Sequence, residues 1–273
     1  MTGRELPPTS AFAGDDGSAD PGVAAALTAL GDGTGTLAEV VAALAGTRVL
    51  VPVLAELEVG ETVDVGGHAH TVDKEASAGI VALQAPDGRT ALPVFSSVAA
   101  MAAWRADARP VPTEVARAAL SAVDEGWELL VLDAGGPVTA LLPRPAVWAL
   151  AQQGTWRPAV PGAGEARSVD PEVRAAVRAA VTGALGGGVA EHAPAARSWF
   201  RRRATTTTTA TPPGPLVDAD ALPGGRAEVA VVLTLVPGLD RDAVDAVLQR
   251  VGAALAADET VAQRVDSVEV RLR

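Results

Sequence analysis

The side chains that could bind a metal ion or move a proton gather in one short stretch. His68 and His70 stand as H-x-H in "VGGHAHTV", and Asp73 and Lys74 follow closely. Alternate residues of an extended segment point to one side, so the two imidazoles could share an ion. A metal centre needs further ligands. The third histidine, His192, lies far along the chain, and there is no cysteine. His68 and His70 are thus metal-ligand candidates short of a full set, and the expected cofactor is none. Lys74 is the single lysine among 22 Lys and Arg. With Asp73 it is the candidate ligand contact, because opposite charges clustered beside histidines mark possible sites.

Serine chemistry is the second possibility. Ser96 and Ser97 follow one apolar run and precede another, loosely as a nucleophile elbow would place them. The G-x-S-x-G turn is missing, however. A hydrolase also needs an imidazole base and an orienting carboxylate, and no spacing here assembles them. Capping of the next helix accounts for both hydroxyls. No phosphate-cradling G-x-x-x-x-G-K-[ST] loop occurs. No catalytic residue is assigned.

The arginines give the last candidate. Arg201–Arg203 follow Trp199 and Phe200, a pairing that could grip an anion, although a charged helix end running into a linker is the simpler explanation. The net charge of −11 opposes a phosphate backbone, so no nucleic-acid partner is expected. Residues 166–225 run the other way, with seven arginines against five acids.

These residues must be carried by something, and the chain divides readily. Residues 1–20 read as a disordered tail, acidic and lacking the basic-then-apolar pattern of a secretory leader. No apolar run is long enough for a membrane span, so no membrane association is expected. The absence of cysteine favours a cytoplasmic location. Residues 21–160 read as an α/β domain. Asp20 and Pro21 start one helix and Thr36 starts another. The run "RVLVPVL" is a strand whose Pro52 points to an edge or bulge. "GIVALQA", turn "PDGR" and "TALPVF" form a hairpin, and "WELLVLD", turn "AGGP" and "VTALLP" form a second. Each hairpin ends in proline and passes into a short helix bearing a tryptophan. Thr113 caps a helix with Val115, Ala119, Leu120 and Val123 turned inward. The runs "IVAL" and "LLVL" do not alternate, so both sheet faces are covered.

Residues 161–225 read as one helix, "VDPEVRAAVRAAVTGAL", followed by a Thr/Pro-rich linker. Residues 226–273 form a small strand–helix–strand unit. "EVAVVLTLV" is its first strand, Val244, Val247, Leu248, Val251 and Leu255 make a helix stripe, and Val268, Val270 and Leu272 share one face of its last strand. A helix joining the two strands makes them parallel. So small a core cannot stand alone, and it must dock, self-associate or receive a protein partner.

The segments "RVLVPVLAE", "VDKEASAGIVALQAPDGRTALPVFSSVAAMAAW", "ARPVPTEVARAAL" and "LLVLDAGGPVTALLPRPAVWALA" resemble the N-terminal domain of the SseB family, in its actinobacterial form. "EVAVVLTLVPGLDRDAVDAVLQRVG" with "DSVEVRL" is similar to that family's C-terminal domain. The resemblance implies a mixed α/β fold and a cytoplasmic protein without assigned biochemistry, and it supplies no catalytic residues. The expected function is a non-enzymatic interaction or regulatory role. The alternative is a small-ligand sensor or enzyme with its site near residues 56–75.

Overall fold

The computed structural model describes residues 12–55, 63–65, 68–70, 78–85, 87–162, 164–186 and 214–273. They fall into two compact units, Met1–Arg157 and Pro158–Arg273. The fold is mixed α/β, with a small strand unit at the C-terminal end.

In the first unit the elements are α1 (Pro21–Gly31), α2 (Leu37–Leu44), β1 (Arg48–Ala55), β2 (Val63–Val65), β3 (His68–His70), β4 (Ala78–Ile80), β5 (Leu83–Gln84), β6 (Thr90–Val94), α3 (Val98–Trp104), β7 (Arg109–Glu114), α4 (Val115–Asp124), β8 (Leu129–Leu132), β9 (Ala140–Leu142) and α5 (Arg144–Ala151). The helix starts follow from local chemistry. Asp20 accepts from the Gly22 and Val23 amides at 2.8 and 3.2 Å, with Pro21 already preset for the first turn. Thr36 and Glu39 cap α2 reciprocally.

Two sheets dominate this unit, ordered β4-β1-β7 and β5-β6-β8-β9. An isolated bridge between Leu50 and Phe95 links them. β6 and β8 run parallel, whereas β5–β6 and β8–β9 are antiparallel. Side-chain alternation then loads both faces. Val49, Val51, Leu130 and Leu132 enter the main core with α1, α2, α4 and α5. Leu50 and Phe95 turn the other way onto Met101 of α3. Phe95 is fully buried, its ring 5.2 Å from that of Trp104.

Several local expectations change. β1 is the central strand of its sheet, not an edge. Pro52 is tolerated because Leu50 exchanges both backbone bonds with Phe95 while β4 pairs only from Val53 onward. The proline falls in the gap, where no ladder bond is required of it. The expected strand 79–85 splits at Val81–Ala82: its first half pairs with β1 and its second makes the hairpin with β6. Residues 109–114, read as loop and cap, form β7, whose Pro110 and Pro112 suit an edge. Glu114, not Thr113, precedes α4 and makes no side-chain cap. Alanines 118, 119 and 122 do the packing there, leaving Leu120 exposed. Trp148 is exposed as well.

The second unit holds α6 (Pro171–Leu185), β10 (Leu216–Pro223), β11 (Val229–Leu235), α7 (Arg241–Ala257), α8 (Glu259–Arg264) and β12 (Val268–Leu272). Its sheet has the order β10-β11-β12, antiparallel then parallel. The parallel pair is the strand–helix–strand arrangement read from the sequence. The segment expected to be helix plus linker supplies two of its parts. Val173, Val177, Val181 and Leu185 of α6 share one buried core with Ala219 and Ala221 of β10, Val229, Val231 and Leu233 of β11, and Val247, Val251 and Leu255 of α7. An added helix and third strand are what a 48-residue unit needs to bury an adequate core. The Thr/Pro run and Arg201–Arg203 lie outside the described residues.

Candidate functional site

Of the sequence candidates, the described residues include the backbone of His68 and His70, together with Ser96 and Ser97. The backbone of His68 and His70 lies in β3, which pairs antiparallel with β2 through His70–Val63 and His68–Val65. Asp73 and Lys74 lie outside the described residues. Ser97 accepts from the Ala100 amide at 3.1 Å and so caps α3, as its position before that helix indicated.

Ser96 has a partner that sequence spacing does not reveal. Its hydroxyl donates to Asp133 Oδ2 at 2.7 Å, and its amide donates to Asp133 Oδ1 at 2.8 Å. Both residues are buried, at the C-terminal ends of the parallel strands β6 and β8. Asp133 also adopts φ 53°, and its carbonyl accepts from Gly136 and from the Thr139 hydroxyl. A carboxylate receiving a serine hydroxyl without an imidazole between them makes no activated nucleophile. The pair closes two strand ends. Arg48 continues this tie, donating to the Ser96 carbonyl at 2.6 Å and pairing with Asp15. That guanidinium holds the Asp15 carboxyl below the usual carboxylate range.

A groove of about 380 Å³ also opens on the first unit, lined by Val51 and Val53 of β1, Val111 of β7, Arg117 and Asp124 of α4, and Trp127. Its size suits a small molecule, but its polar rim carries no acid–base pair poised for chemistry.

The second unit offers a different kind of site, made of backbone. Val229, Val231 and Leu233 of β11 are fully buried. Their ladder partners on β12 are Val268, Val270 and Leu272, which therefore lie on the same face. These three remain 38%, 38% and 47% exposed. The hydrogen bonds show which way the peptide groups turn. The Val229 amide donates to the Ser267 carbonyl at 3.2 Å, and the Arg273 amide donates to the Leu233 carbonyl at 2.9 Å. Residues 267, 269, 271 and 273 thus direct their backbone groups toward β11. Val268, Val270 and Leu272 direct theirs outward. No strand among the described residues pairs with that edge.

Side-chain contacts of Arg264, Glu228 and Ser267 deliver β12 to this position. Arg264 at the end of α8 binds Asp170 at 3.1 Å, Glu172 at 3.0 Å and the Pro158 carbonyl at 3.4 Å. Its guanidinium keeps the Asp170 carboxyl below the usual range. Glu228 accepts the Asp266 amide at 2.7 Å, while burial pushes its carboxyl above the usual range. Ser267 accepts the Glu228 amide at 3.0 Å. On the opposite face of β12, Glu269 accepts the Gly225 amide at 2.7 Å and an Arg271 bond at 2.6 Å. Those contacts, the Gly225 amide foremost, hold its carboxyl below the usual range.

The first unit is thus a mixed α/β domain with helices on both faces of its sheets. Within it, residues 23–149 match the family model described as the SseB protein N-terminal domain, just under half of the chain. Over those residues the chain is similar to the SseB family. β12 lies beyond the matched residues. No curated protein and no solved structure gives a significant match.

Proposed function

We propose that the protein is a cytoplasmic interaction or regulatory protein without catalytic activity of its own, and that the outer edge of β12 is its working surface. The segments quoted from the sequence support, on this reading, membership of the actinobacterial branch of the family. One observation carries the functional reading: three successive outward-facing residues of β12 leave both backbone groups unpaired beside an apolar row. An exposed strand edge is a template for another strand, and main-chain bonds to it give affinity without any special side-chain chemistry. The described polar clusters meanwhile serve as structural ties. Ser96–Asp133 and Arg264–Asp170 each join distant segments.

The test is photo-crosslinking. A benzophenone amino acid replaces Val270 in one sample of the full chain and Val217, which is 61% exposed on β10, in another. Each is irradiated in extract of the source cells. The expected outcome is protein adducts, of the chain itself or of another protein, at position 270 and not at 217. Equal or absent adducts at the two positions overturn the reading.

A further inference from the structure

Resting on that reading of β12, we propose that the occupant of the edge is a second copy of this chain, paired antiparallel about a two-fold axis through Val270. The partner follows from the strand's own sequence, Val268-Glu269-Val270-Arg271-Leu272. Antiparallel pairing centred on Val270 sets Val268 opposite Leu272 of the other copy, and Val270 opposite itself. Because all three turn their backbone groups outward, each of these pairs is hydrogen-bonded. The five residues of the strand are then fully paired.

The charges select the same register. Glu269 falls opposite Arg271 of the second copy, and Arg271 opposite its Glu269, on the face away from the apolar row. Opposite charges directly across a ladder stabilise, and like charges destabilise. Slipping the axis to residue 269 sets two glutamates against each other, and slipping it to 271 sets two arginines together. Within one copy Arg271 already donates to Glu269 at 2.6 Å, so both groups lie at the level where the exchange between strands takes place. The apolar row gains cross-strand neighbours on its own face, which removes three half-exposed side chains from water. Two-fold pairing is also self-limiting. It joins two three-stranded sheets into one of six and leaves no bare β12 edge to propagate a fibre.

The contact is short, so a dissociation constant of about 10 μM is expected for the full chain. Sedimentation equilibrium at about 100 μM then gives a mass approaching twice the 27.4 kDa of one chain. Arg271→Glu alone and Glu269→Arg alone each weaken self-association at least about tenfold. An equimolar mixture of the two variants restores it, because each supplies the charges that the other lacks. A monomeric wild type, or single variants that associate as the wild type does, overturns the proposal. Adducts at position 270 formed only with another protein overturn it too, while leaving the interaction reading intact.

A second arm is independent of the charges. The chain has no cysteine, so Val270→Cys introduces a unique thiol. In this register the two position-270 Cα atoms lie about 5.5 Å apart, within the bridging range. Mild oxidation is expected to give a disulfide dimer for Val270→Cys and little for Val268→Cys, whose counterpart is Leu272. The reverse order, or equal yields, overturns the register.

Discussion

The two outer strands of the second unit's sheet share one central partner but are finished differently. β10 carries a bulge between Leu216 and Asp218 and ends at Pro223. Its acids are held from α6: Arg174 pairs with Asp220, and Arg178 lies 3.8 Å from Asp218. Bulges, prolines and edge charges are the usual devices that stop a strand from recruiting another. β12 has neither bulge nor proline within Val268–Leu272. Its charged residues, Glu269 and Arg271, are opposite in sign and attract a copy of the same strand paired antiparallel about Val270. The contrast shows that exposure alone does not make an interaction edge. What matters is whether the exposed strand is defended, and only one of these two is open.

The largest expected effect comes from cutting the anchor that presents β12. Arg264→Ala removes three contacts and leaves Asp170 without its guanidinium, with both side chains only 15% exposed. Loss of one partner from such a pair costs about 2 kcal/mol, read as a lower urea midpoint for the second unit. Arg264→Met is expected to be milder than alanine. It keeps the packed stem, and Nε in the wild type is buried without a partner. Amide protection should fall in β12 before β10; simultaneous loss in both strands would break the distinction between them.

A smaller effect is expected from pH, and its two sides have opposite signs. The carboxyls of Asp170 and Asp220 are lowered, chiefly by hydrogen bonds from Arg264 and Arg174. Their contribution is present above the ordinary value of about 4 and is lost as pH falls through the lowered value. Glu228 is raised by burial, so its contribution is present below the ordinary value and is lost as pH rises through the raised one. Melting of the second unit is therefore expected to rise slightly from neutral to mildly acidic pH and then fall below about pH 4. Glu228→Gln should flatten the first part and leave the second. An unchanged profile in that variant would contradict the role given to its burial.

The smallest effect is expected at the defended edge. Asp220→Asn weakens the half-exposed pair with Arg174, and melting should shift by no more than about 2 °C. Self-association should not change, because the bulge and Pro223 remain. New association through β10 would show that the arginine–aspartate pairs are the whole of its defence.

The open strand was easier to find from sequence than the defended one. "DSVEVRLR" alternates apolar and charged residues, and that period survives intact in β12. "LVDADALP" also alternates, but its inward residues are Ala219 and Ala221, whose small side chains give little hydrophobic signal next to a Thr/Pro run. The stripe Val173–Val177–Val181 announced a helix without saying what it packs against. Pairing such faces depends on chain topology, which periodicity does not contain. β7 was hidden by Pro110 and Pro112, residues that argue against a strand until the edge position is known. The Ser96–Asp133 contact spans 37 residues and leaves no local trace. For the candidate site, the apolar row of β12 was legible. The direction of its peptide groups, which turns that row into an edge, depends on its register with β11.

That direction provides the most direct measurement of whether the edge is used: residue-resolved amide hydrogen exchange on the full chain at low and high concentration. The amides of Glu269 and Arg271 face β11 and should be protected throughout. Those of Val268, Val270 and Leu272 face outward. They should exchange freely in dilute protein and become protected as concentration rises from about 1 to 100 μM, giving alternating residues that respond differently. Outward amides that exchange equally fast at every concentration, or that are already protected in the dilute chain, would contradict pairing of β12 between two copies.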